Sequence, residues 1–180
     1  VVAAVTLSAA KLPRPMADVV METLNVQQRL HLIDTRGKIR VVLLVSVGCD
    51  HCERVIPVFS KVEREYRDKG VQFLGAAVNI ENVKQLSPLL AKTKPSFLIG
   101  QLPPEQVMRL ADFTKEERPF VPMVLFVDKN NYVQYQYNGD GEFFKDPQGR
   151  SGVLKAKGRS DEEQTEARLR AVLNAMLKQK

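Results

Sequence analysis

Apolar and polar positions change period along the chain, and the changes predict its elements. "DVVMETL" (18–24) and "RLHLID" (29–34) alternate in part around "NVQQ" and read as a β-hairpin, followed by the turn "DTRGK" (34–38). "IRVVLLVSV" (39–47) is continuously apolar and β-branched, the pattern of a strand buried on both faces. From Asp50 the period becomes helical. Val55, Phe59, Val62 and Tyr66 fall at i, i+4, i+7 and i+11, one stripe that Gly70 ends. "VQFLGAAV" (71–78) is a second buried strand, and strand–helix–strand over this length predicts a parallel βαβ unit.

Asn79 is placed to cap a helix over roughly 81–92, with Val83, Leu86 and Leu90 inward. "SFLIG" (96–100) reads as a strand. "PPEQVMRLADF" reads as a helix with Val107, Leu110 and Ala111 on one face. "VPMVLFVD" (121–128), "KNN" and "YVQYQYN" predict an antiparallel hairpin. Residues 138–160 hold five glycines and one proline and read as a long, mobile loop. "SDEE" (160–163) is a capping box opening a last helix to about 178, which buries Leu169, Val172, Leu173 and Met176. The outline is one α/β domain over 16–180, a mixed sheet with helices on both faces.

Composition narrows the class. The 180 residues are 44% hydrophobic and 27% charged, ordinary for one soluble domain. The net charge of +6 is spread along the chain, with a modest cluster at Lys145, Arg150, Lys155, Lys157 and Arg159. No recognition motif or set of stacking aromatics accompanies it, so it reads as solvated surface and not as a nucleic-acid face. No stretch has the length of a membrane span. The opening "VVAAVTLSAA" fits either the end of a secretory signal or an N-terminal strand, and residues 1–15 stand as an extension.

The chemistry centres on "SVGCDHC". Cys49 and Cys52 are the only cysteines, three apart, at the strand-to-helix junction. A structural zinc site needs four ligands, and the chain adds only His51, between the cysteines, and His31, within a predicted strand. A structural staple closing so short a loop stabilises little. A redox pair uses the position directly. Cys49 at a helix N-terminus has its thiolate favoured by unpaired N–H groups, and Cys52, one turn in, can attack a mixed disulfide on Cys49. Pro57 inside the helix and Val121–Pro122 before a strand strengthen this reading. A cis bond at Pro122 would free the Val121 backbone to pair with an extended substrate.

These residues resemble the thioredoxin superfamily, and within it the redoxin/TlpA-type extracytoplasmic thiol–disulfide oxidoreductases. The resemblance spans about residues 16–140. It is carried by "RGKIRVVLLVSVGCDHC", the Pro57 helix, "KGVQFLGAAVN" and "RPFVPMVLFVDKNNYV". It implies a thioredoxin-like fold with an N-terminal β-hairpin and an inserted strand–helix unit. It also implies Cys49 as attacking cysteine, Cys52 as resolving cysteine, and Pro122 as the cis-proline of a groove beside Val121. The implied activity is disulfide exchange with protein thiols or disulfides, in the reductase direction. It needs no cofactor or metal beyond the cysteine pair, and a separate electron donor. A monomer in the periplasm or cell exterior is expected.

Gly48 stands where thioredoxins usually carry Trp, and Leu43 where thioredoxin has a buried acid. Glu53, Asp50 or water is left to take the Cys52 proton. Asp50 and His51 should tune the potential in opposite directions. The carboxylate disfavours the Cys49 thiolate and the imidazole favours it.

Two other functions share the fold. A peroxiredoxin-type peroxidase has Ser46 three before Cys49, but Val42 and Pro122 stand where that family's proline and arginine belong. A non-enzymatic binding or metal-carrier module would use the 138–160 loop as its contact surface.

Overall fold

The computed structural model describes residues 11–24, 29–35, 37–114, 117, 120–139, 143–144 and 160–179. Among the described residues the sheet has eight strands: β1 (Arg14–Pro15), β2 (Val20–Thr23), β3 (Leu30–His31), β4 (Ile39–Val45), β5 (Val71–Ala77), β6 (Leu98–Gln101), β7 (Met123–Val127) and β8 (Tyr132–Tyr137). Their order is β1-β8-β7-β4-β5-β6-β2-β3. The helices are α1 (Asp50–Tyr66), α2 (Ser87–Thr93), α3 (Pro104–Ala111) and α4 (Asp161–Lys178).

β4 lies at the centre, parallel to β5 and antiparallel to β7. Strand alternation sends Ile39, Val41, Leu43 and Val45 into one core with α1 and α4. Val42 and Leu44 enter a second core with Val107, Leu110 and Ala111 of α3. Both faces of β4 are therefore covered, which explains its unbroken apolar sequence. The predicted α1 stripe is fully buried, each large apolar side chain contributing about 1.5–3 kcal/mol.

The mixed sheet, the βαβ unit, the β2–β3 and β7–β8 hairpins and the inserted β6 with its helices all take their expected places. The second arm of the first hairpin is shorter than predicted. Only Leu30–His31 pair, and Leu32–Thr35 coil into a 3-10 turn. His31 is exposed on that edge strand beside Asp18.

One expectation is corrected. The helix after β5 starts later than Asn79 allows. Asn82 caps a 3-10 turn at Val83–Leu86 through a reciprocal capping box with Gln85, and α2 follows. Within the tract 138–160 the described residues Phe143 and Phe144 lie in a turn. Phe143 and Phe144 are core residues, packed against each other and against Phe126 and Phe59. Two aromatics gain more by burial than the surrounding glycines suggest. The basic cluster at 145–159, the "NVQQ" turn and residues 1–10 lie outside the described residues. Among the described residues no helix is long and apolar enough to cross a membrane.

Candidate active site

β4 ends at Val45, and the chain turns through Ser46, Val47 and Gly48 into α1. Gly48 has φ +79°, a region that favours glycine, and a Cβ there would meet open space. The position usually held by tryptophan is therefore fixed here by backbone conformation, not by packing.

Cys49 is the N-cap residue of α1, with extended backbone. Its Sγ accepts the Cys52 N–H at 3.0 Å, so sulfur does the work an Asp or Ser oxygen does at ordinary caps. Cys49 and Cys52 are joined as a disulfide with Cα atoms 5.2 Å apart. The two sulfur residues differ in access. Cys49 is partly exposed, whereas Cys52 is 0% exposed, in the core that contains Leu43. That asymmetry follows from helical geometry, because Cys49 precedes the first turn and Cys52 faces the sheet.

The residues between them face outward. Asp50 is exposed. The His51 ring meets Phe144 edge-on, centroids 5.9 Å apart, and Phe144 stacks on Phe59 at 6.3 Å. Arg168 of α4 holds this arrangement by donating to the Phe143 carbonyl at 2.8 Å. The first turn of α4 also approaches. Glu162 pairs with Arg54. Its own backbone N–H, the Ser160 hydroxyl and the electrostatic influence of nearby Arg54 and His51 hold its carboxyl below the usual range. Glu53 is committed to an ion pair with Lys92. Leu43, where the resemblance leads to the expectation of a buried acid, is fully buried and apolar.

The β4–β7 register pairs Leu44 with Met123, so Val121 and Pro122 lie beside the turn before Cys49. The Val121–Pro122 peptide is cis. Val121 is half-buried against both cores, while the neighbouring Phe120 is 55% exposed. Gly139, after β8, donates its N–H to the Phe120 carbonyl at 3.2 Å. A Cβ at 139 would come within 2.7 Å of the Val121 and Pro122 carbonyl oxygens, so only glycine allows this close approach.

The structure thus brings Cys49, Cys52, Asp50, His51, Val121 and Pro122 to one end of the sheet. Sequence reasoning missed Asn79, Gly139, Phe144 and Arg168. The available signal for Phe144 was two adjacent aromatics inside a glycine-rich tract, which a loop has no reason to carry.

The backbone can be compared with solved structures. A thiol:disulfide interchange protein of the thioredoxin family from Chlorobium tepidum TLS superposes with TM-score 0.66 at 16% identity, covering 94% of this chain and 99% of that one. A thiol:disulfide interchange protein from a Bacteroides species gives 0.63 at 15% identity, covering 93% and 91%. The chain has the thioredoxin fold. An uncharacterized conserved protein from Geobacillus kaustophilus gives 0.68 at 16% identity, covering 93% and 82%. No protein-family model and no curated protein matches the chain, so the likeness lies in the thioredoxin-fold backbone.

A strand-to-helix CxxC pair joined as a disulfide, with one cysteine partly exposed and the other buried, has the chemistry for thiol–disulfide exchange. Among the described residues no three His, Cys, Asp or Glu side chains gather as metal ligands.

Proposed function

We propose that this protein is a thiol–disulfide oxidoreductase that reduces disulfides in protein substrates through Cys49 and Cys52. The observation that carries the reading is the asymmetry at the α1 cap, with a partly exposed Cys49 whose sulfur accepts the Cys52 N–H and a buried Cys52 one turn behind.

In the reduced protein the Cys49 thiolate attacks a substrate disulfide. A mixed disulfide forms and one substrate thiolate leaves. Cys52 then loses its proton and attacks Cys49 Sγ. The second substrate thiolate leaves and the Cys49–Cys52 disulfide closes. Two electrons pass to the substrate, and a separate dithiol donor must return them. No cofactor beyond the cysteine pair is required. With Leu43 in the acid's usual place and Glu53 engaged by Lys92, we assign the Cys52 proton to water.

Val121 and Pro122 form the groove in this reading. An extended substrate segment pairs with the Val121 backbone, and the exposed Phe120 beside it supplies apolar contact. Asp50 and His51 tune the potential. The resemblance to the TlpA-type branch supports an extracytoplasmic monomer.

The test is insulin disulfide reduction with dithiothreitol. Wild type should accelerate it and Cys49→Ser should not. Cys52→Ser should accumulate a mixed disulfide with substrate, visible on a non-reducing gel. Full activity in Cys49→Ser would sink the proposal.

A further inference from the structure

We propose that Asn79 is a positioning residue of this site, clamping the turn that presents Cys49; the inference rests on the oxidoreductase reading above. The β4–β5 ladder ends at Val45–Ala77, followed by one more backbone bond from Val78 N–H to the Val45 carbonyl at 3.0 Å. Beyond that point β4 has turned away toward Gly48. The Asn79 side chain continues the ladder in place of backbone. Its Oδ1 accepts the Val47 N–H at 2.9 Å and its Nδ2 donates to the Val47 carbonyl at 3.1 Å.

A primary amide carries one acceptor and one donor side by side, matching the N–H and C=O that the single residue Val47 presents from its two flanking peptide units. Aspartate lacks the donor, and glutamine displaces both groups by one methylene. Asn79 has no competing duty as a helix cap, because Asn82 performs that with Gln85.

Both bonds are exposed, so their stabilising effect is small. Their effect on geometry is large, because the Val47 peptide is followed by Gly48, whose conformational range is wide. Cys49 sits one residue further on. Its sulfur meets the Cys52 N–H only while the cap is formed, and that contact is what favours a thiolate. A turn free to move lets Cys49 leave the helix end, so its thiolate becomes rarer and its attack slower.

The experiment follows iodoacetamide alkylation of Cys49 against pH, in the reduced full chain carrying Cys52→Ser. Melting temperature and hydrogen exchange of the Val47 amide are read in parallel. Asn79→Ala should raise the alkylation midpoint, slow alkylation at pH 7 by about threefold or more, and speed exchange at Val47. Asn82→Ala, which loses a cap of comparable kind, should leave the midpoint at the wild-type value. If Asn79→Ala does not fold, Asn79→Gln carries the same expectation. An unchanged midpoint in a folded Asn79 variant, with only the melting temperature lowered, would overturn the positioning role and leave the oxidoreductase reading standing. A wild-type Cys49 that titrates at the ordinary cysteine value of about 8.5 would also overturn the positioning role, whereas the oxidoreductase reading falls instead if Cys49→Ser keeps full insulin reduction.

Discussion

The two ends of β4 are built on opposite plans. At its start Arg40 is fully buried and donates to the Leu32 carbonyl at 3.2 Å, the Asp128 carbonyl at 3.0 Å and Asn131 Oδ1 at 2.9 Å. The turn it binds is held as well, with Asp128 accepting from Asn130 N–H, Tyr132 N–H and the Gln134 amide. At its other end β4 runs into an exposed glycine turn clamped by Asn79, then into a cap whose acceptor is a sulfur atom. One end closes over a buried guanidinium. The other leaves reactive groups at the surface of a rigid scaffold. Stability and chemistry are thus separable along a single strand, and substitutions should divide accordingly.

The largest effect belongs to the chemical end. Cys49→Ser should remove at least 10²-fold of the disulfide-reduction rate while moving the urea midpoint little, since a serine oxygen caps a helix well. Loss of folding in that variant would break the contrast. Phe144→Ala comes next, because this ring links the site to the core. It should cost about 3–5 kcal/mol in chemical denaturation. A cost below about 1 kcal/mol would mean that the Phe59–Phe144–His51 stack is not formed in solution.

Arg40→Ala should cost about 3 kcal/mol, because it strips donors from buried carbonyls. The reduction potential of the cysteine pair should not change, and a change would mean that the two ends are coupled. Asp50→Asn acts in the opposite sense, with stability nearly unchanged. Removing a negative charge beside Cys49 favours its thiolate and should raise the potential by about 10–30 mV, read by equilibration with glutathione.

The smallest effect lies outside both ends, on the α1–α4 surface. The hydrogen bond from Arg170 holds the Glu65 carboxyl below its usual range. A carboxylate depressed in the folded state stabilises above its unfolded value near 4.5, and that contribution disappears as pH falls through the folded value. Arg170 also pairs with Glu166 and, against its burial, lowers its carboxyl. Arg170→Ala should therefore flatten the loss of stability as pH falls below about 4.5 through both carboxylates, by less than about 1 kcal/mol because the groups are partly exposed. An unchanged acid profile would assign no stability to these pairs.

Much of the fold was legible because burial leaves periodic traces. β4 is apolar on both faces and reads so, the α1 stripe recurs at helical spacing, and the Ser160–Glu163 capping box marks α4 to the residue. The cysteine pair was equally visible, since its meaning lies in local spacing. The rest of the site depends on contacts distant in sequence. Nothing near Asn79 signals that its amide reaches a peptide 32 positions earlier, and its neighbours argue for a helix cap instead. Gly139 reads as a turn former until the Phe120–Pro122 backbone is seen against it. Phe143 and Phe144 were hidden by glycines whose frequency outweighed two rings.

The central claim is that Cys49 and Cys52 form a working redox couple, and its most direct test is the reduction potential of the pair in thiol–disulfide buffers. The account predicts one reversible two-electron transition nearer thioredoxin's value of about −270 mV than the −120 mV of a strong oxidant. A value near −120 mV would contradict the reductase direction, and no reversible transition at all would contradict the redox reading itself.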